Sequence, residues 1–412
     1  MHHRRFERVK WVGLGVLCLG CSGAAAAPRP QRAAVRPGVD VLLTDSLALV
    51  RGKRIGFVTN IAAVDANGVS AITRLRAAGL QLVALFAPEH GLTESAAPGE
   101  QVAFGRDTAG HAPIYSLYGQ TMAPTDSMLA GIDVMVVDLP DVGARYYTYI
   151  ATTIEVMRAA GRHRIPVIVL DRPNPIGGAV QGNVLDAAYS SMVGRLAIPM
   201  RHGLTLAEAA RLAQADLHLA VDLHVVPVVG WHRDQFFDET GLPFRAPSPN
   251  LQSIEALFDY PGTCLFEGTA LSVGRGTDAA FRQVGAPWLD TTAVLARVNA
   301  VHLPGVAFSA VAFTPRQPGD KKFADTLVAG IRWQVTDRKR FDPTVAAVHL
   351  FAIIRSVHPD RISIGGSFDR LAGGPVLREA LLRGDAPEAI VATWAPALAA
   401  YRARVTPFLL YR

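Results

Sequence analysis

Short apolar runs alternate with amphipathic segments over most of this sequence. The apolar runs, at residues 54–59, 82–87, 133–138 and 166–170, are continuously hydrophobic and rich in β-branched side chains. Strands buried on both faces of a sheet have this composition. The segments between them, at residues 70–78, 145–160 and 205–218, follow helical spacing. This alternation predicts an α/β fold, a Rossmann-like doubly wound and mostly parallel sheet.

The alternation changes near residue 287. Helical spacing covers residues 291–301, 345–356, 376–382 and 387–402, and strand-like runs cover residues 306–313 and 328–335. One hydrophobic core rarely grows beyond about 250 to 300 residues, so a chain of 412 residues is expected to form two domains. We predict a Rossmann-like domain over residues 38–286, which would carry the site, and a smaller α+β C-terminal domain over residues 287–412.

The first 27 residues are typical of a secretory signal peptide. A basic stretch precedes an apolar stretch at residues 11–19, and the alanines at 24–27 suit cleavage. The apolar stretch is too short for a membrane anchor. We expect an exported protein, periplasmic or secreted, with a linker over residues 28–37 and no stable membrane insertion after cleavage. Cys21 leaves a lipoprotein anchor open as an alternative.

Charge and motifs narrow the range of partners. Only five of the 41 basic residues are lysines, so arginine dominates the formal net charge of +6. Arginine binds carboxylates and phosphates through a planar fork, which favours an anionic ligand. No basic run is interleaved with aromatic residues, so nucleic acid is not an expected partner. The sequence also lacks the P-loop, zinc-protease and serine-hydrolase motifs, and it predicts no cofactor and no metal.

Polar residues follow each of the four apolar runs. In chain order they are Asn60, Glu89, His90, Asp138, Arg145, Tyr147, Asp171 and Arg172. In doubly wound sheets, ligands bind outside the carboxyl ends of the strands. These side chains are therefore expected to surround one crevice.

Their individual roles stay open at this point. Glu89 directly follows a buried strand, so it suits a partly desolvated general acid or a carboxylate bonded to loop backbone. Arg145 and Tyr147 would lie in the first two turns of the helix predicted at 145–160. An arginine there would hold an anion or an ion-pair partner, and a tyrosine there would contact a sugar or pack in the core.

Other assignments are equally open. Arg172 can pair with Asp138 as readily as it can contact a ligand. His202 precedes a helix that Thr205 is predicted to cap, and helix N-termini attract anions. Two further functional classes fit these residues. One is a periplasmic sugar-binding protein without catalysis, and the other is a metal-dependent hydrolase that uses Asp138, Asp171, His90 and His202.

A series of uncommon motifs runs from about residue 40 to the C-terminus. They are Thr59-Asn60, Ala87-Pro-Glu-His-Gly91, Ile114-Tyr-Ser-Leu-Tyr-Gly119, Asp138-x-x-Asp-Val-Gly-Ala-Arg-Tyr-Tyr-Thr-Tyr-Ile150, Leu170-Asp-Arg-Pro-Asn-Pro-Ile-Gly-Gly178, Pro199-Met-Arg-His-Gly-Leu-Thr205, Pro247-Ser-Pro-Asn250, Tyr260-Pro-Gly262 with Glu267-Gly-Thr269, Val273-Gly-Arg-Gly-Thr-Asp278 and Gly285-Ala-Pro-Trp288. In content and order, these motifs resemble the NamZ-type exo-β-N-acetylmuramidase family.

The resemblance implies a glycoside hydrolase that releases N-acetylmuramic acid from the non-reducing ends of peptidoglycan fragments in cell-wall turnover. The family's proposed catalytic Glu and Tyr match Glu89 and Tyr147. The expected substrate-binding residues are Asn60, His90, Asp138, Arg145, Asp171, Arg172, Asn174, His202, Glu267 and Arg275. The sequence departs from the family pattern at residues 316–325.

Glycosidic cleavage usually requires two carboxylates. Glu89 is the best candidate for the acid, and the second carboxylate is not evident from the sequence. A tyrosine nucleophile or the substrate's own 2-acetamido group would each replace it, and the residues do not decide between them. Muramic acid also carries a lactyl carboxylate, which Arg145, Arg172 or Arg275 is expected to bind.

Overall fold

The structure is a computed structural model and describes residues 33–93, 105–107 and 110–412. The predicted signal peptide, Cys21 and the first half of the predicted linker lie outside these residues. Residues 34–412 form one compact unit. Among the described residues, no helix is long and apolar enough to cross a membrane.

Twelve strands form three sheets in the described part of the chain. The strands are β1 (Arg54–Thr59), β2 (Gln81–Ala87), β3 (Gly105–Arg106), β4 (Pro113–Ser116), β5 (Val134–Asp138), β6 (Val167–Leu170), β7 (Gln181–Val184), β8 (Pro199–Arg201), β9 (Leu223–Val226), β10 (Gln283–Ala286), β11 (Val306–Phe313) and β12 (Val328–Val335). The helices are α1 (Gly38–Asp45), α2 (Ala71–Ala77), α3 (Asp126–Leu129), α4 (Tyr149–Arg162), α5 (Leu206–Asp216), α6 (Ile254–Thr263), α7 (Thr291–Ala300), α8 (Pro343–Val357), α9 (Gly366–Ala372), α10 (Val376–Arg383), α11 (Pro387–Ala392) and α12 (Ala395–Val405).

The main sheet has seven strands in the order β3-β4-β2-β1-β5-β6-β9. Only the edge strand β3 is antiparallel to its neighbour, and all other pairs are parallel. Numbered by chain position, the six parallel strands follow the order 3-2-1-4-5-6, which is that of doubly wound sheets. The order reverses between β1 and β5, so their carboxyl ends flank the crevice that this topology creates.

The central strands are apolar because helices cover both faces of the sheet. Phe57 of β1 pairs with Leu85 of β2 and Val136 of β5, and all three side chains are fully buried. Val58 and Val137 pack into the cluster beneath α4, whereas Phe57 and Val136 pack into the cluster with α1 and α2. This alternation of faces confirms the strands that the apolar runs predict.

The predicted helices are confirmed, but the helix predicted from residue 145 begins later than expected. The capping box of Thr205 and Glu208 opens α5 as predicted, with both reciprocal hydrogen bonds formed. The helix predicted at 145–160 begins only at Tyr149, so the four preceding residues form a loop. That loop carries two of the tyrosines described below, Tyr146 and Tyr147.

The C-terminal part of the chain packs around a second sheet, which is antiparallel and ordered β10-β12-β11. Both longer strands match their predicted bounds at 306–313 and 328–335. The helix predicted at 387–402 is divided into α11 and α12. Because β10 already pairs with β12, the second sheet begins at residue 283, and the boundary near 286 stays a prediction.

Candidate active site

A cleft with a volume of about 920 Å³, its open mouth included, lies at the carboxyl end of β2. Its walls come from the turn after β2, the loop before α4, the end of α6 and the loop between β11 and β12. Five of the predicted site residues line it, namely Glu89, His90, Tyr147, Glu267 and Arg275. These five residues, which include the predicted catalytic pair Glu89 and Tyr147, share this one cleft, and the other predicted site residues lie elsewhere.

Glu89 is held at the cleft wall by two hydroxyl groups. The Thr148 hydroxyl donates to Glu89 Oε2 at 2.9 Å, and the Tyr118 hydroxyl also bonds to this carboxylate. Burial, together with the negative charge of Glu89, raises the pKa of Tyr118 to about 12. His90 has a φ of 70°, a conformation that few residues other than glycine adopt. The sharp turn after β2 thus fixes Glu89 at the carboxyl end of that strand.

Tyr147 is buried in a group of three tyrosines. Its ring centroid lies 4.5 Å from that of Tyr149 and 6.4 Å from that of Tyr260. The Tyr147 hydroxyl donates to the Pro247 carbonyl at 2.5 Å, and the Tyr149 hydroxyl donates to the same oxygen at 3.2 Å. These contacts fix the direction of the Tyr147 ring at the cleft.

Asn60 contacts this tyrosine group but does not line the cleft. Its Nδ2 donates to the Tyr149 hydroxyl at 2.7 Å, and its side chain is fully buried. Asn60 does not line the cleft, so its predicted role as a substrate contact is corrected. The distances make it a support for Tyr149, and through the shared Pro247 carbonyl it contributes to holding Tyr147.

Glu267 and Arg275 form an ion pair on the opposite side of the cleft, with Nε 2.5 Å from Oε1. The guanidinium lies 4.8 Å from the centre of the Phe281 ring, and Arg275 is 9% exposed. Burial lowers and the Glu267 charge raises the pKa of Arg275, and the net shift is upward. Arg275 is thus a fixed cation whose single hydrogen bond to Glu267 leaves donors directed elsewhere.

Asp138 and Arg172 form an ion pair with each other. This is one of the two roles that the sequence allows for Arg172, the other being contact with a ligand. Arg172 donates to both oxygens of Asp138, at 2.5 and 2.9 Å, and to the Val64 carbonyl at 2.8 Å. Asp138 is fully buried, and neither residue lines the cleft. For Asp138 the expected contact with substrate is corrected, because its buried charge is satisfied by Arg172. Arg172 lines a separate pocket at the ends of β1, β5 and β6, and its contact with substrate stays a prediction.

Asp171 is also a structural residue. Its Oδ1 accepts the Ala207 backbone N–H at 3.0 Å near the start of α5, and its Oδ2 accepts the Tyr411 hydroxyl at 2.5 Å. Complete burial raises the pKa of Asp171 to about 7. It therefore joins β6, α5 and the C-terminal segment, and it lies away from the cleft.

Asn174 and His202 shape the turns before α5. Asn174 donates to the Leu204 carbonyl at 2.8 Å and accepts the Ile176 N–H at 3.1 Å. His202 is fully buried, and its Nδ1 accepts the Leu204 N–H at 3.1 Å. His202 Nε2 lies 3.4 Å from Asp141 Oδ2. Both expected ligand contacts are corrected, because neither side chain lines the cleft.

Arg145 is buried and does not itself line the cleft, although its guanidinium contacts two residues that do, Tyr146 and Leu371. Its guanidinium donates to the carbonyls of Asn183, Ile198 and Leu371 at 2.8, 3.1 and 2.7 Å. Burial lowers the pKa of Arg145 to about 10. The residue ties the loop before α4 to β7 and to the end of α9, so its predicted position in a helix next to the crevice is wrong.

Several cleft residues were not assigned from the sequence. Tyr118 lies within the motif at residues 114–119, but nothing in that motif indicates a contact with Glu89. Tyr260 and Ser248 also lie in quoted motifs, whereas Asp320 lies in the segment that departs from the family. Only the fold brings these four residues to the same cleft.

The residues suggested for a metal site are not brought together. Asp138 is paired with Arg172, and Asp171 with Tyr411. In the described part of the chain, no group of three or more His, Cys, Asp or Glu side chains has metal-site geometry. The arrangement does not favour the metal-dependent alternative.

A doubly wound sheet with a cleft of carboxylates and tyrosines at its carboxyl edge defines an α/β enzyme. The models of the exo-beta-N-acetylmuramidase NamZ match this chain in two parts, the N-terminal model over residues 55–255 and the C-terminal model over residues 258–411. The chain belongs to this exo-β-N-acetylmuramidase NamZ family.

Individual relatives agree with this assignment. Over 407 residues the chain is 38% identical to the peptidoglycan beta-N-acetylmuramidase NamZ of Bacillus subtilis (strain 168), covering 96% of this chain and 98% of that protein. A DUF1343 family protein of Bacteroides fragilis has a similar crystal structure, with 30% identity, a TM-score of 0.85 and coverage of 93% and 100% of the two chains. A second DUF1343 protein from that organism gives 27% identity, a TM-score of 0.75 and coverage of 92% and 99%.

Proposed function

We propose that this protein is an exo-acting glycoside hydrolase that releases N-acetylmuramic acid from the non-reducing ends of peptidoglycan fragments. One observation carries the proposal. Glu89 and Tyr147, which match the family's proposed catalytic pair, line the same cleft although they are far apart in sequence. The similarity to a named peptidoglycan β-N-acetylmuramidase supports the choice of substrate.

Glu89 acts as the general acid in this proposal. Cleavage of the glycosidic bond requires a proton on the leaving oxygen as the bond breaks, and a half-buried carboxyl at the cleft wall can supply it. The Thr148 and Tyr118 hydroxyls orient the carboxyl group. Tyr147 directs its proton to the Pro247 carbonyl, so a lone pair of its oxygen is available to the positive charge that develops at the anomeric carbon.

Arg275 binds the lactyl carboxylate in this proposal. Of the three arginines considered for that contact, Arg145 is engaged by backbone carbonyls and Arg172 by Asp138, and neither lines the cleft. Arg275 lines the cleft and uses one hydrogen bond for Glu267. Its remaining donors suit a second carboxylate, because a guanidinium offers five N–H groups.

The test compares a chromogenic β-N-acetylmuramide with the matching β-N-acetylglucosaminide, which lacks the lactyl group. We expect the full-length mature protein to hydrolyse the muramide and to leave the glucosaminide nearly unchanged. Arg275→Ala is expected to lower kcat/KM for the muramide by about 100-fold, which is typical when one partner of a buried charged contact is removed. The weak glucosaminide rate should change much less.

Arg383→Ala is the matched control, because Arg383 forms an exposed pair with Asp385. Micromolar binding of the muramide without turnover would replace the hydrolase with the sugar-binding alternative. A muramide rate that Arg275→Ala leaves intact would contradict only the assignment of the lactyl contact.

We also propose that the protein is exported and acts outside the cytoplasm. The basic, apolar and alanine-rich order of residues 1–27 supports this location. Mass spectrometry of the protein purified from its native cell should find an N-terminus after residues 24–27. A lipidated N-terminus at Cys21 would indicate the anchored form, and an intact Met1 would contradict export.

A further inference from the structure

The loop between β11 and β12 forms part of the cleft wall and is tightly held. Residue Arg316 donates its backbone N–H to the Gly276 carbonyl at 2.9 Å, next to Arg275. Lys322 Nζ donates to the carbonyls of Glu267 and Leu271, at 2.9 and 3.0 Å. The loop is therefore fixed to the segment that carries the Glu267–Arg275 pair.

This loop also contains unusual backbone geometry. Gln317, Lys321, Phe323 and Asp325 all have φ values between 45° and 59°, a region that residues other than glycine rarely adopt. Such conformations persist only where surrounding contacts determine them, and they concentrate at functional sites. None of the family-like motifs in the sequence falls within this segment, residues 316–325.

Asp320 is the charged residue that this loop brings to the cleft. Its Oδ1 accepts the Lys322 backbone N–H at 3.2 Å. Within the described part of the chain, its Oδ2 is buried and has no hydrogen-bond partner. An unpaired buried acceptor is costly, so a folded chain normally satisfies it with protein, water or ligand.

We propose that Asp320 determines specificity by accepting a hydrogen bond from an N–H or O–H group of the sugar ring bound in the cleft. This inference rests on the proposed function. An ionised carboxylate only accepts hydrogen bonds. The muramoyl group offers three such donors, the acetamido N–H and the 4- and 6-hydroxyls. Asp320 also repels the lactyl carboxylate, so the sugar is oriented with that group toward Arg275.

The experiment measures kcat and KM of Asp320→Asn on the chromogenic β-N-acetylmuramide. We expect kcat/KM to fall by about 10- to 100-fold, as for the loss of a hydrogen bond to a charged group. The melting temperature should stay near the wild-type value, because asparagine keeps an acceptor for the Lys322 N–H and Oδ2 loses no hydrogen bond. Asp325→Asn is the matched control, since Asp325 lies in the same loop and pairs with Arg316 at the surface.

Three substrate analogues identify the donor, namely the N-methylacetamido, 4-deoxy and 6-deoxy muramides. The ratio of wild-type to Asp320→Asn kcat/KM should return to about 1 for one of them, the analogue that lacks the donor. An equal ratio for all three would overturn the inference, as would a loss shared with Asp325→Asn or accompanied by a lower melting temperature. If the wild-type protein hydrolyses no muramide, the proposed function itself fails.

Discussion

Glu89→Gln is expected to lower kcat on a disaccharide with N-acetylmuramic acid at its non-reducing end by about 10³-fold. Glutamine keeps the shape of the side chain and still accepts a hydrogen bond from Thr148, but it has no proton to give. Positioned general acids contribute about 10²- to 10⁴-fold to a rate. Steady-state kinetics on the purified variant measures the loss, and a thermal melt checks that the protein is folded.

The leaving group makes this prediction specific to acid catalysis. A sugar alkoxide is a poor leaving group and depends on protonation, whereas a nitrophenolate departs with little help. Glu89→Gln should therefore lose much less activity on the nitrophenyl muramide than on the disaccharide. Glu388→Gln is the control, because Glu388 is 71% exposed and lies outside the cleft. Equal losses on both substrates would assign Glu89 to binding and not to proton donation.

The sequence predicts the sheet well because its signal is local. A continuous run of β-branched residues fits a strand covered on both faces, and Arg54–Thr59 is a strand with the predicted bounds. The loop before α4 is different, since its residues fit helical spacing. Tertiary contacts determine its shape, including the bond from the Tyr146 hydroxyl to the Pro261 carbonyl at 2.8 Å.

The site is predicted only in part, for a related reason. Strand ends carry polar side chains both where ligands bind and where buried charges pair, and residue type does not distinguish the two. Asp138 and Arg172 illustrate the second case, whereas Glu89 lines the cleft and is proposed to illustrate the first. Asp320 is not predicted as a site residue, for a different reason. It lies in a segment without family-like motifs, so the resemblance gives it no role.

Arg145→Met tests this distinction and should destabilise the protein by about 3 kcal/mol. Methionine fills much of the volume but leaves the carbonyls of Asn183, Ile198 and Leu371 without their donor. Each unsatisfied buried polar group costs about 1 to 3 kcal/mol, and removal of the buried charge offsets part of that cost. Urea unfolding measures the effect as a lower midpoint at an unchanged slope.

Arg383→Met is the control, because an exposed arginine pair contributes about 0 to 1 kcal/mol. The kinetics of Arg145→Met distinguish a structural role of Arg145 from the substrate-binding role that the sequence suggests. A residue that joins the loop before α4 to β7 and the end of α9 affects the folded fraction, so kcat/KM per folded molecule should stay near the wild-type value. If Arg145→Met has wild-type stability and a much higher KM for the muramide, Arg145 would be a substrate-binding residue, as the sequence suggests. Because Tyr147 follows Arg145 by two residues, a fall in kcat with lower stability would mean that this anchor also holds the tyrosine in place.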